Sequence, residues 1–439
     1  MFTRLLKLLS VMLWLGASLP AAHAQSAEQL LRHAIEQSPE VSKAKAGMQM
    51  AIADLKISKS AWLPQASARL YNGLGNTTQS NPLFNQNKGD ENVQNNSISI
   101  QQNLYNKPAS IQIQQGELAL QEAELRHAVA IQTTIQNWMG KLIECKQTQV
   151  ALELAVQQLD TALLKRQQVE HSLKNGESSA LELANAQSEL AVRHAEHAET
   201  QHALAQKLWE ISQLTGKTIE ADWIERIEFT QPQAPSPAET EQHVVEHNPN
   251  LKIQQLYTDI AELEINKAKS QHQPTVRLVA QNTQSKSETA STLGNRVKQN
   301  VLAVQMDVPL FNGFASQGQT EKAVAGLSKQ QADYDNTKNA TLREAWAAKR
   351  QLTSAIELLK AYDLAIEAAR QSQQAVETGL KHQLAIPLDM AQAKVKLAEL
   401  EMKQMDYLLT ANKAHLKMLE LMGSLNEKNA LNGIFDEKK

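Results

Sequence analysis

Between Pro108 and Pro232 the chain carries no proline, and from Asn106 to about Asn175 its apolar residues recur at steps of three and four. Ile131, Ile135, Trp138, Leu142 and Cys145 are followed by Leu152, Val156, Leu159 and Leu163. That period is the stripe of an amphipathic helix. Roughly 68 residues at about 1.5 Å each make a rod of about 100 Å. Helices of ordinary domains are far shorter, so a rod of this length needs other helices alongside it to cover its stripe. The chain builds a second such rod from Asn312 to about Lys381. Composition agrees: aromatic residues make up 4% of the 439, with 16 glycines and 12 prolines, a profile of long helices.

The second rod belongs to a wider repetition. His33-Ala34-Ile35-Glu36-Gln37-Ser38-Pro39 returns as His243-Val244-Val245-Glu246-His247-Asn248-Pro249. Leu104-Tyr105-Asn106, followed by Ala109-Ser110, returns as Leu310-Phe311-Asn312, followed by Ala315-Ser316. Leu183, Ala186 and Gln187 return as Leu388, Ala391 and Gln392, and Leu214-Thr215-Gly216 as Leu421-Met422-Gly423. All four matches keep a spacing of 205 to 210 residues. A tandem duplication is expected, with one structural repeat over 25–233 and the second over 234–439. Each repeat reads as a helix of about 33 residues, two alternating segments, the rod, a short turn and a half-length helix. The first helices are expected over roughly Ala27–Lys59 and Ala238–Ser270, the last over Leu183–Thr215 and Leu388–Met422. Glu220 to Pro237, with Pro232, Pro235 and Pro237, reads as an extended connector.

The alternating segments carry a strand signal. In Ser97–Tyr105, Ile98, Ile100 and Leu104 share one face with Gln102, while Ser97, Ser99, Gln101 and Asn103 share the other. In Val301–Phe311, Leu302, Val304, Met306, Val308 and Leu310 alternate with Ala303, Gln305 and Asp307. Partner strands are expected after Pro64 and Pro274. Segments of this length suit a tilted membrane strand, and a small soluble sheet packed on helices is the other arrangement with the same pattern. Four strands close no barrel by themselves, and a membrane sheet with open edges is forbidden, so a membrane role demands several copies. The polar stretches Thr77–Asn95 and Gln284–Gln299 read as surface loops.

The first 24 residues read as a cleaved signal peptide: Arg4 and Lys7, an apolar core from Leu8 to Leu19, and Ala22-His23-Ala24 before Gln25. Without Arg4 and Lys7 there are 42 basic and 47 acidic residues, a net charge of −5, and no basic run, which speaks against a nucleic-acid partner. The single cysteine, Cys145, lies on the apolar stripe and reads as a small buried hydrophobe. After residue 24 no apolar stretch is long enough for a membrane helix.

This ordered set of features resembles the TolC-like outer-membrane efflux proteins over essentially the whole expected mature length. The residues that carry the likeness are Glu36-Gln37-Ser38-Pro39 with Glu246-His247-Asn248-Pro249, and Leu104-Tyr105-Asn106 with Pro309-Leu310-Phe311-Asn312-Gly313. The turn that runs from Gly176 to Glu182-Leu183 and on to Ala186-Gln187 is the third element. The resemblance implies a mainly α chain with membrane β structure. Tandem-duplicated antiparallel helical hairpins would form a periplasmic α-barrel, and four strands per chain would join a twelve-stranded trimeric β-barrel in the outer membrane. It further implies a passive exit duct for a tripartite efflux pump or a type I secretion system. The partners would be a periplasmic adaptor and an inner-membrane pump of RND, ABC or MFS type, with no cofactor.

The same resemblance makes the helical turns, at Gly176, Glu182 and Leu183 and at Ile386, Pro387 and Leu388, the expected adaptor contacts. It also directs attention to an acidic gate. Pro387 and Met390 stand where the family often has acids, and Asp389 is the nearest carboxylate, so Asp389 is the candidate pore gate. An acid just after Pro387 also suits the start of a helix, and Glu182 has the same two roles open to it.

His243-Val244-Val245-Glu246-His247 matches a zinc-hydrolase pattern, which raises an enzyme reading. Its counterpart His33-Ala34-Ile35-Glu36-Gln37 lacks the second histidine, so duplication of a helix end accounts for it and no metal is expected. The alanines at 184, 191, 195, 198 and 205 permit close helix approach. No phosphate loop, nucleophile elbow or catalytic triad is present in the sequence. The rival to a duct is a soluble periplasmic coiled-coil adaptor or scaffold.

Overall fold

The structure is a computed structural model that describes residues 26–81, 84–233, 237–289, 292–432 and 435–437. The expected signal peptide lies outside the described residues. In chain order the elements are α1 (Ala27–Gln37), α2 (Pro39–Ser60), β1 (Gln65–Asn81), β2 (Phe84–Tyr105), α3 (Lys107–Lys174), α4 (Ala180–Thr215), α5 (Ala221–Glu225) and β3 (Ile227–Phe229). They continue with α6 (Pro237–His247), α7 (Pro249–Ser270), β4 (Thr275–Thr289), β5 (Thr292–Asp307), α8 (Ala315–Lys381), α9 (Pro387–Leu421), α10 (Glu427–Asn432) and β6 (Phe435–Glu437).

The two rods are single helices of 68 and 67 residues. The second starts at Ala315 because Gly313 and Phe314 both hold φ at 64°, outside helical geometry. The helices expected to run unbroken through residues 39 and 249 are instead broken there. Proline has no N–H to give and forces the residue before it out of the helical region. Ser38 and Asn248 accordingly take ψ of 121°. Each then caps the helix that follows: Val41 N–H donates to Ser38 Oγ at 3.4 Å and Leu251 N–H to Asn248 Oδ1 at 3.0 Å. The recurring Gly216 and Gly423 both have positive φ, 64° and 67°, at the ends of α4 and α9. A Cβ on Gly216 would run into the Gln37 side chain.

The chain divides into two compact units, each drawing on residues from both 25–233 and 234–439. The first holds the described residues up to Ser42 with Ala130–His247 and Leu342–Lys439. Its core gathers Leu30 and Leu31 of α1, Ile135, Trp138, Met139, Leu142 and Ile143 of α3, Ile211 of α4, and Leu409 and Leu416 of α9. The expected extended connector is partly folded into this core. Trp223 and Ile224 of α5 and Ile227 and Phe229 of β3 are buried there, and β3 pairs antiparallel with β6. Cys145 is fully buried, and burial pushes its thiol up to about 12, so it behaves as an inert apolar group.

The second unit, Lys43–Val129 and Asn248–Thr341, holds an antiparallel sheet of order β1-β2-β4-β5. Its strands run 15 to 22 residues, so the segments expected as surface loops are largely strand instead. A ladder is made by backbone groups, and Asn, Gln, Ser and Thr continue it without an apolar face.

Trp138 has no accessible surface. Trp138→Ala should therefore cost about 3–5 kcal/mol, seen as a lowered midpoint for loss of the helical circular-dichroism signal. An unchanged midpoint would show that this core is not what holds the unit together.

Candidate functional site: a two-faced sheet and two helical turns

Register decides what each face of the sheet presents. Ala66 pairs with Ile100, Ile100 with Ala280, and Ala280 with Leu302. The next rungs of this face hold Ala68, Ile98, Asn282 and Asn300 on one side, and Gln102, Leu278 and Val304 on the other. Leu302 and Val304 are 76% and 65% exposed in the single chain. The opposite face holds Gln65, Gln101 and Val279, then Ser67, Ser99 and Gln281, then Arg69, Ser97 and Thr283. There Ser67 and Ser99 share a hydrogen bond of 2.9 Å, and Arg277 pairs with Asp307. The opposite face is polar on β1 and β2 and mixed on β4 and β5, where Val279, Ala303 and Val301 share it. An apolar row on the first face of β2, β4 and β5 suits a membrane barrel wall. Among the described residues the outer edges of β1 and β5 pair with no strand.

At the helical end of the sheet the corners are fastened by side chains. Asn103 Nδ2 donates to the Ala61 carbonyl at 2.7 Å, and Tyr105 OH to Gln273 Oε1 at 2.9 Å. Phe311 and Phe314 are exposed beside β5 and meet edge to face, ring centroids 5.4 Å apart. Exposed aromatics flanking an apolar band suit a membrane interface. Among the described residues no helix is long and apolar enough to cross a membrane.

The two hairpin turns lie in the first unit. In the α3–α4 turn Gly176 adopts φ of 78°, and Gly176 and Glu177 N–H return to the Leu173 and Ser172 carbonyls at 3.0 and 2.9 Å. Ser179 caps α4 by accepting the Glu182 N–H at 3.2 Å, while the Glu182 carboxylate accepts from Ser178. Leu183 is half-buried behind them. In the α8–α9 turn the left-handed residue is Gln383, φ 60°. Ile386 and Pro387 are exposed, and Leu388 is half-buried. Asp389 Oδ2 accepts the Ile386 N–H at 2.9 Å, which closes the first turn of α9. Sequence reasoning passed over Leu181 and Leu384, the second of which is 85% exposed at the tip. Their signal was an apolar residue beside a turn, easily taken for the start or end of a stripe.

Charged pairs fasten the hairpin formed by α3 and α4. Lys141 meets Glu210 at 2.9 Å and Glu144 at 3.3 Å, and Lys207 meets the same carboxylates at 3.4 and 2.9 Å. Hydrogen bonds to Glu210 and Glu144 hold the Lys141 ammonium above its usual range, and Glu144 does the same for Lys207. Burial pushes Glu144 up, but Lys207 and Lys141 outweigh it and hold the carboxyl below its usual range; Lys141 lowers Glu210. Deeper in, Lys146 donates to the carbonyls of Ile224 and Glu225 at 3.1 and 3.3 Å, and burial lowers its pKa. The His243 and His247 rings stack with centroids 4.2 Å apart, and His247 Nδ1 lies 3.2 Å from the His243 carbonyl.

Comparison with known proteins places this geometry. The profile of the family described as outer membrane efflux protein matches residues 30–217 and 242–424. The chain belongs to that family and is an outer-membrane protein. The alkaline protease secretion protein AprF of Pseudomonas aeruginosa is 23% identical over 319 residues, which is 71% of this chain and 66% of that protein. The outer membrane protein TolC of Vibrio cholerae is 20% identical over 428 residues, 95% of each chain. Among solved structures, the CmeC outer membrane channel of Campylobacter jejuni superposes with a TM-score of 0.72 at 11% identity, covering 90% of this chain and 85% of that one. The open state of the MtrE outer membrane channel of Neisseria gonorrhoeae gives 0.69 at 14%, covering 90% and 88%. The fold is that of these channels.

The lowered carboxyls of Glu144 and Glu210 contribute stability that is present above the unfolded carboxylate pKa and lost as pH falls through the folded one. The raised ammoniums contribute stability that is lost only as pH rises past their folded values. Acidification from neutral to below pH of about 4 should therefore lower the melting temperature less in Glu144→Gln/Glu210→Gln than in the parent chain. Equal acid slopes in circular-dichroism melts would mean that the ring contributes nothing to the hairpin.

Proposed function

We propose that three copies of this chain form an exit duct. Their sheets, four strands each, would close a twelve-stranded barrel across the outer membrane, and their paired helices would wall a tunnel in the periplasm. Cargo would be handed over by an inner-membrane pump of RND, ABC or MFS type through a periplasmic adaptor, as part of a tripartite efflux or type I secretion system. The observation that supports this most is the sheet: apolar rows on one face, a more polar face opposite and, among the described residues, no strand paired at either edge. A lone sheet of this kind leaves amides unsatisfied in lipid and apolar area exposed in water, and closure by further copies removes both defects. Relatives named for protease secretion and for outer-membrane channel formation support the same direction. The chain supplies a passage, and the energy and any catalysis belong to its partners.

The hairpin turns are the proposed adaptor contacts, with Gly176, Glu182 and Leu183 shaping one and Ile386, Pro387 and Leu388 the other. Asp389 is the proposed gate: three carboxylates around one axis repel anions and attract cations.

Detergent-extracted protein should run as a trimer and conduct ions across a planar bilayer; a water-soluble monomer without conductance overturns the duct and favours the scaffold. The gate is tested separately with Asp389→Asn, which keeps an acceptor for the Ile386 N–H and removes the charge. Cation preference in single-channel recordings should fall, and an unchanged preference assigns Asp389 to helix capping alone. Leu384→Ala should weaken capture of the adaptor about tenfold while leaving conductance intact.

A further inference from the structure

Two helices of the first unit each keep one side exposed. α4 buries Leu204 and Ile211 in the core it shares with α3, and α8 buries Leu352 and Ala355 against Ala411, Ala414 and Met418 of α9. Leu409 and Leu416 of α9 lie in the α3 core, so α4 and α8 stand at the two ends of this set. Turning about 100° per residue, the side of α4 away from its core holds Ala184, Ala191, Ala198 and Ala205, spaced by seven. Between them come Leu181, Ser188, Ala195, His202 and Trp209. The outer side of α8 holds Ala347, Ser354, Ala361, Ala368 and Ala375, again spaced by seven, with Arg350, Glu357, Leu364, Gln371 and Thr378 between them. All of these residues are exposed in the single chain, Trp209 to 63% and Leu364 to 76%. Alternate steps of three and four sustained along a helix are the seam of a coiled coil.

Every copy of the chain therefore has one seam of each kind without a partner. α4 runs away from its turn and α8 runs into its own, so the two seams fit antiparallel. From level turns, with Ala180 beside Lys381, a slip of two residues, about 3 Å, opposes every seam alanine of α4 to a small residue of α8. Ala184 then faces Ala375, Ala191 faces Ala368, Ala198 faces Ala361 and Ala205 faces Ser354. Small side chains at such layers let helix axes approach to about 8 Å. A row of small residues alone admits many helices, and the layers between the alanines select this one. In the same register Leu364 falls on Ala195, Glu357 on His202 and Arg350 on Trp209. The Arg350 guanidinium lies 4.7 Å from the centre of its own Trp346 ring, and Trp209 offers it a second aromatic face. Glu357 accepts a hydrogen bond from an imidazole N–H whether or not the ring is charged. A slip by one heptad keeps the small residues matched but sets Glu357 on Trp209 or Arg350 on His202, so the charged layers fix the register.

We propose that α4 of one copy packs antiparallel on α8 of the next in this register, a head-to-tail seam locked by the His202–Glu357 and Trp209–Arg350 layers. The seam rests on the reading of the protein as a ring of three copies, and the experiment separates the two. Full-length protein in detergent carrying Ala198→Cys/Ala361→Cys is oxidised beside Ala198→Cys/Ala368→Cys and Ala198→Cys/Ser354→Cys, which are one heptad out of register in either direction. Cys145 is buried and takes no part. The in-register pair should link into covalent dimers and trimers on a non-reducing gel about tenfold more than the offset pairs, since a disulfide needs its Cα atoms within about 7 Å. Equal linking of an offset pair, or a link confined to one chain, overturns the seam. Separately, Glu357→Arg, which sets a cation on His202, should lower the share of trimer that survives dilution about threefold, and adding His202→Glu should restore it. No loss in the first variant, or no recovery in the second, overturns the locking layer. Native mass spectrometry of the reduced samples reports the trimer itself. Its absence in the parent chain refutes the ring, whereas trimers without the in-register link refute the seam alone.

Discussion

The backbone along β1 and β5 that no strand pairs among the described residues is the constraint from which most of this molecule follows. In hydrocarbon every amide must find a partner within protein, since no water is present to replace it. Water is equally unsuitable, because the face carrying Leu302 and Val304 would be left bare. The order β1-β2-β4-β5 already solves half of the problem inside one chain. The central ladder joins β2 to β4, so a strand of 25–233 and a strand of 234–439 lie side by side with no edge between them. Among the described residues two edges remain, and the proposed ring of copies removes both.

The helical core has a different economy. It buries charge, and it does so only where partners are supplied. Lys146 is buried with its ammonium on the Ile224 and Glu225 carbonyls at the carboxyl end of α5, and the Glu153, Glu225 and Glu228 carboxylates act against the cost of that burial. A residue that loses hydration in this way stays charged only if the segment it holds stays in place. Lys146 therefore ties the stretch between the two repeats to α3, and Asn412 adds a second tie by donating to the Thr230 carbonyl at 3.2 Å. As far as Gln233 that stretch is thereby part of the fold.

Periodicity made the rods, the half-length helices and the two faces of the sheet legible in the sequence, because one side of each is apolar and the other is not. Where that contrast vanishes, the sequence misleads. The polar ends of β1, β2, β4 and β5 have no apolar column to announce them, yet backbone pairing carries them on. Ser38-Pro39 and Asn248-Pro249 were visible as a repeated motif, but their meaning as a break and a cap depends on backbone angles that residue types only suggest. Trp223, Ile224 and Ile227 are core residues hidden in a segment whose prolines advertise a linker. At the turns, Asp389 is legible as an acid after a proline, while its bond to the Ile386 N–H depends on how the backbone turns into α9.

The two hairpin turns solve one geometric problem with unequal residues, and the inequality bears on what they do. A helix that ends in a left-handed residue is usually closed by glycine, as at Gly176. The second turn uses Gln383, for which the same conformation costs about 1–2 kcal/mol. The cost is offset locally: Leu384 N–H reaches back to the Gly379 carbonyl at 2.7 Å, and Asp389 fastens Ile386 on the other side. Between these two ties Leu384 is held out into solvent, where an apolar side chain gains nothing from the fold itself. A strained, doubly fastened turn that displays a leucine has the properties of a rigid contact, because a partner binding it has little ordering entropy to supply. The first turn presents Leu181 from the first turn of α4, with a glycine turn before it. For the proposed docking the α8–α9 turn is the one that displays its leucine more fully, and Asp389 stands in the first turn of the helix that follows it.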